Sequence, residues 1–219
     1  LTLVARRSLP MMLVQACANG GLGVTAIIQH VTGARRMAKG QALALVALLG
    51  GLALLGPVTI AGPAVAIRPA HEIFMACCAV LCLVACWLPL TPAMQGVVGG
   101  IGFSFGAVGA RLVIGDELHP LWIFWQLPLS TWVVGLLTGV GIVLGQLHMT
   151  RGLARSQATT VLGPMYLVET LLPSLVGLTL LGELPRQGTI PLTVAGLALT
   201  LAGSMALLRS DPETIAEPA

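Results

Sequence analysis

Seven stretches of about 20 residues, each nearly free of charge, follow one another along this chain with short charged connectors between them. A run of that length crosses the hydrocarbon core of a bilayer as an α-helix. No water reaches that core, so the backbone must satisfy its own hydrogen bonds, which leaves helices or closed barrels. The runs lie at about 9–29, 40–60, 73–90, 94–114, 122–148, 158–181 and 190–208. None shows the period-two alternation of a barrel strand. The expected fold is all-α and integral to the membrane, with about seven transmembrane helices. The fifth run contains Pro128, so its helix is kinked or starts near Leu129.

Composition agrees. Only 9% of the residues are charged, against roughly 25% in a soluble domain. So few charges cannot cover a water-exposed surface, and the lipid bilayer is the expected solvent and partner. The net charge of +3 is spread over short loops with no basic stripe, which excludes a nucleic-acid footprint. Cys17, Cys77, Cys78, Cys82 and Cys86 all lie within apolar runs, which argues against a disulfide framework. Cys78, Cys82 and Cys86 share a helix face and read as small packing residues rather than a metal or redox site. No cofactor and no metal are expected. Arg6 and Arg7 precede a run too long for a signal peptide.

The connectors hold most of the charge: Arg35, Arg36 and Lys39; Arg68, His71 and Glu72; Asp116, Glu117 and His119; Arg151 and Arg155; Glu183 and Arg186. Residues 210–219 form a polar tail expected to be disordered. Arg35, Arg36, Lys39, Arg151, Arg155 and Arg209 fall on one side of the membrane. Arg6, Arg7, Arg68 and Arg186 fall on the other, with Arg111 as a possible fifth. This small excess places the C-terminus in the cytoplasm of a cell-membrane protein.

The most informative feature is self-similarity. The stretch from Pro10, PMMLVQACANGGLGVTAII, matches the stretch from Pro164, PMYLVETLLPSLVGLTLLG, at a constant offset of 154 residues. Met11 falls on Met165, Leu13 on Leu167, Val14 on Val168, Gly23 on Gly177 and Thr25 on Thr179. Gln15 falls on Glu169, and Gln29 on Glu183. Each copy is followed by a short loop and a helix rich in small residues. The second copy comes five helices after the first, an odd number, so they cross in opposite senses. That is an inverted repeat, an architecture common in secondary transporters. Residues 1–66 then hold the last two helices of a first unit, and residues 67–209 a complete five-helix second unit. The first residue is Leu, and the first unit is three helices short, so the chain is expected to be truncated at its start. A second copy or a partner chain could complete it.

The stretch from Arg151 to Leu208 resembles the C-terminal end of the EamA type of drug/metabolite transporters. The likeness rests on the basic turn Arg151 to Ser156, on Pro164 near a helix start, on LLGE at Leu180 to Glu183, and on Gly196 to Gly203 in the last helix. It implies a ten-helix bundle of two inverted halves. It also implies a transporter of small metabolites or drugs that works by alternating access, with the substrate undefined. The alternative is a non-transporting remnant or subunit.

Candidate site residues follow from the cost of charge in lipid, about 2.5–3.5 kcal/mol at a helix centre. Glu169 lies mid-run, where it would bind a cationic substrate or carry a coupling proton; otherwise it is a hydrogen-bonded packing residue. Arg111 would bind an anionic substrate, pair with Glu169, or snorkel to the interface. Gln15, Asn19, Gln126, Gln146, His148 and Tyr166 either line a cavity or bond between helices. Trp122, Trp125 and Trp132 read as interfacial anchors. Glu183 is expected at the interface, fixing a turn. Gly102-x-x-x-Gly106, Gly135-x-x-x-Gly139 and Gly141-x-x-x-Gly145 are expected packing faces. Ser104 sits in a Gly-x-Ser-x-Gly pattern, but mid-helix and without an evident acid–base partner. No enzyme activity is expected.

Overall fold

The computed structural model describes residues 9–33, 38–58, 66–115 and 125–209. Arg6, Arg7, Arg35, Arg36, Asp116, Glu117, His119, Trp122 and the tail lie outside them, as does the side chain of Gln29. Among the described residues there is no strand, and seven α-helices follow in order. They are α1 (Met11–Val31), α2 (Lys39–Val58), α3 (Pro69–Ala85), α4 (Pro92–Gly115), α5 (Leu129–Leu153), α6 (Ala158–Thr179) and α7 (Ile190–Arg209). Six are long and apolar enough to cross a membrane, and α3 is apolar but shorter. Its 17 residues span about 26 Å, a little less than the roughly 30 Å hydrocarbon core.

Proline sets four of the helix starts. Pro69 and Pro92 open α3 and α4, and Pro10 and Pro128 stand immediately before α1 and α5 in extended backbone. Fixed φ suits a first turn, where a missing N–H costs nothing. This corrects the third run, expected at 73–90. The helix starts at Pro69 and stops four to five residues early, because Pro89 holds Leu88 out of helical backbone although the apolar sequence continues.

Successive helices alternate in direction, and α4 lies at the centre. Gly102 and Gly106 of α4 interdigitate with Gly141 and Gly145 of α5. A Cβ on Gly102 would stand 2.6 Å from the Gly145 nitrogen, and one on Gly141 would stand 2.8 Å from the Gly102 carbonyl oxygen. α6 runs parallel to α4 on another face, where a Cβ on Gly100 would come within 2.6 Å of the Met165 carbonyl. α2 and α7 form a second close antiparallel pair through Gly51, Gly196 and Gly203. Without side chains the backbones approach and gain dispersion contacts that lipid cannot match.

Gly135 and Gly139 do not pack. A Cβ at either would meet nothing within 4 Å. Gly139 and Gly141 are two residues apart, about 200° round the helix, so only one of the pairs can face α4. The other looks outward with Leu136 and Val143, which are exposed, as are Trp125, Trp132 and the outer side chains of α3. Such apolar exposure fits lipid contact. Gly102→Ala is therefore expected to cost about 1–3 kcal/mol by overpacking, whereas Gly139→Ala stays within about 0.5 kcal/mol. Thermal unfolding in detergent separates the two.

Candidate functional site

α1 and α6 meet in antiparallel fashion, and their seam is polar. Pro10 lies beside Leu184 and Pro185 at one end of the bundle, whereas Pro164 lies beside Leu208 and Arg209 at the other. Between them, in mid-seam, the Gln15 side-chain amide donates to the backbone carbonyl of Glu169 at 3.2 Å. That carbonyl needs an outside donor. In an α-helix it would accept from residue 173, but that residue is Pro173, which has no N–H. Gln15 thus replaces the missing rung. One turn along, Asn19 donates to the Thr170 hydroxyl at 2.5 Å, and Thr170 donates on to the Tyr166 carbonyl. Ser174 donates to the Thr170 carbonyl at 2.6 Å. Gln15, Asn19, Thr170 and Ser174 are all buried, while Glu169 and Tyr166 are half-buried.

A charged cluster closes the end of this seam. After α6 the chain turns at Gly182, whose φ of +66° is open to glycine at little cost. Glu183 then folds back, its N–H donating to the Gly177 carbonyl at 2.8 Å. One carboxylate oxygen accepts from Arg111 Nε at 3.2 Å, and the other accepts the Met11 N–H at 2.7 Å. Both charged side chains are 3% exposed. Gly177 leaves room for the carboxylate, since a Cβ there would lie 2.9 Å from it. Glu183 therefore neutralises Arg111 and satisfies one of the free amides at the start of α1, where the helix dipole also favours an anion. Beside it, His71 of α3 accepts the Arg68 N–H at Nδ1, at 3.1 Å. This puts its proton on Nε2, which donates to the Leu180 carbonyl at 3.3 Å.

At the opposite end His148 ties α5 to α3 and α4. Its Nε2 lies 3.0 Å from the Cys82 carbonyl and 3.6 Å from Cys86 Sγ, and its Nδ1 meets the Gln95 amide at 2.6 Å. Arg151 caps the Cys86 carbonyl at 3.3 Å. No group of three metal-ligating side chains occurs among the described residues. This cluster fastens three helices.

The structure thus brings the Gln15 side chain together with the backbone carbonyl of Glu169 at mid-seam, with the Tyr166 carbonyl one turn away, and places Arg111 at the seam's end. One sequence-level expectation needs correction. Arg111 does not snorkel to an exposed position: it is buried and bonded to Glu183, because the turn at Gly182 carries that carboxylate inward. Glu183, at the end of the bundle, is buried as well, and its N–H to Gly177 fixes the turn after α6. Gln146 joins neither group; it is exposed, one residue past the buried Gly145 and so about 100° round α5. Gln126 is also exposed. Ser104 lies mid-helix, fully buried, and donates to the Gly100 and Val168 carbonyls at 2.6 and 3.3 Å. Thr170, Ser174 and His71 were not foreseen. Pro173 was the available signal, since a proline within a span leaves an open carbonyl four residues before it.

These helices define an α-helical membrane protein. Comparison with protein-family models, with curated proteins and with solved structures found no match.

Proposed function

We propose that the protein is a membrane transporter of the EamA-like drug/metabolite type, moving small metabolites or drugs by alternating access. One observation carries this reading. The two helices that share a sequence pattern at an offset of 154 run antiparallel, and they touch at the matching residues Gln15 and Glu169. Inverted repeats of transporters place substrate and coupling-ion sites at the repeat interface, near the bilayer midplane and beside interrupted helices. The α1–α6 seam is polar and mid-span, and α6, though continuous, lacks the backbone rung that Pro173 would have made. Glu169 is the charge within it and the natural carrier of a coupling proton or contact for a cationic group. Lys39, Arg151, Arg155 and Arg209 gather at the end of the bundle away from Glu183, which favours that end, and the C-terminus, as cytoplasmic.

The test is uptake or efflux in vesicles, comparing the natural protein with Glu169→Gln across pH. Loss of transport by about tenfold or more, equivalent to about 1.4 kcal/mol on the rate-limiting barrier, is the expected result. Equal transport at every pH overturns the role given to this carboxylate.

A further inference from the structure

α6 lacks a backbone rung at each of its two internal prolines, Pro164 and Pro173, and beyond the second it is fastened at its far end. Pro173 removes the backbone bond that would join residues 169 and 173, and the Glu169 carbonyl is held instead by Gln15 of the neighbouring helix. Beyond this point side chains tie the last turns of α6 and the connection to Pro185 to α1, α3 and α4, and the Arg186 N–H, just past it, donates to the Val58 carbonyl of α2 at 3.1 Å. Glu183 binds Arg111 and the Met11 amide, and His71 binds the Leu180 carbonyl. Just behind the carboxylate lies a cavity of about 10 Å³ lined by Pro10, Met12, Ser174, Leu178, Leu184 and Pro185. That is about the space of one water. Ser174 belongs to the polar seam as well, so the cavity links the latch to the seam.

We propose that the end of α6 beyond Pro173, with its connection to Pro185, is the gate of the α1–α6 seam, hinged at Pro173 and latched by Glu183. The inference rests on the transport reading for its purpose, but not for its test. A hinge is a place where backbone bonding can change at small cost. Here the bond that changes is made to α1, the helix from which the gate must part. With the latch closed, Arg111 is neutralised and the start of α1 is capped. With it open, water reaches the Ser174 end of the seam, and the Arg111–Glu183 bond is broken.

The experiment is amide hydrogen exchange of the full chain in lipid nanodiscs, which reads local opening without any substrate. Glu183→Gln is expected to speed exchange about tenfold or more over residues 174–184, with residues 158–169 and α7 unchanged. Pro173→Ala restores the missing rung and is expected to slow exchange over 174–181 in the otherwise natural chain. A change in Glu183→Gln confined to the first turn of α1 would show a static cap and overturn the gate. So would faster exchange spread evenly along α6, or an unchanged rate in Pro173→Ala. If opening behaves as expected while vesicles show no transport, the gate stands and the transport reading falls.

Discussion

Glu183→Gln and Arg111→Met are each expected to destabilise the folded protein by about 3–5 kcal/mol, the cost of breaking a buried ion pair. The geometry says why so small a change as Glu183→Gln is severe. Both carboxylate oxygens face donors, Arg111 Nε on one side and the Met11 N–H on the other. A glutamine keeps one acceptor and turns its NH₂ toward the other donor, so one hydrogen bond becomes a donor–donor clash whichever way the amide lies. The guanidinium meanwhile stays in a site where its partner is 3% exposed. Combining Arg111→Met with Glu183→Gln removes both members of the pair. The double variant is therefore expected to lose clearly less than the sum of the single losses, with a coupling of the order of 1–3 kcal/mol. Thermal or denaturant unfolding in one detergent or lipid, for all four proteins, measures the cycle. Strict additivity would mean that the two side chains do not act as a pair.

The pair marks where sequence reasoning stops. Helix existence was legible because lipid imposes it: a run of about 20 apolar residues has no other way to satisfy its backbone. Proline made one helix start legible, while the start of α3 at Pro69 was expected four residues later. Pro128 announced the start of α5 at Leu129, and the end of α3 was misplaced only because hydropathy reports lipid preference, not backbone conformation. Trp87 and Leu88 are apolar and exposed, yet they lie beyond the helix. The offset of 154 put Gln15 and Glu169 at matching positions, and the fold brings them into contact. Which helix faces meet was not legible, since glycine spacing is the same on both sides of α5. Gly141 packs and Gly139 does not, and only the neighbours distinguish them. Arg111 and Glu183 are 72 residues apart. Nothing in either local sequence names the other, because their meeting depends on the parallel run of α4 and α6 and on the turn at Gly182.

Gln15→Leu is expected to destabilise by about 1–3 kcal/mol, and to do so only while Pro173 is present. Leucine is similar in size, so little packing is lost; the cost comes from a part-buried carbonyl that loses its donor from α1. Lipid cannot supply one, and the proline ring bars the usual amide. Pro173→Ala gives the helix that amide back. In the Pro173→Ala background the Glu169 carbonyl accepts from residue 173, and Gln15 becomes dispensable there. The loss from Gln15→Leu is then expected to fall to about 0.5 kcal/mol or less. The sign of the interaction distinguishes this account from ordinary interhelical bonding. A glutamine that merely joins two helices would cost the same with or without the proline, because its bond would replace nothing within α6. Asn19→Leu supplies the comparison: its amide bonds the Thr170 hydroxyl, not a carbonyl whose helical donor position is a proline. Its cost should be indifferent to residue 173. Equal losses from Gln15→Leu in both backgrounds would show that Gln15 does not stand in for the missing rung. The hinge would then lose the contact that ties its motion to α1.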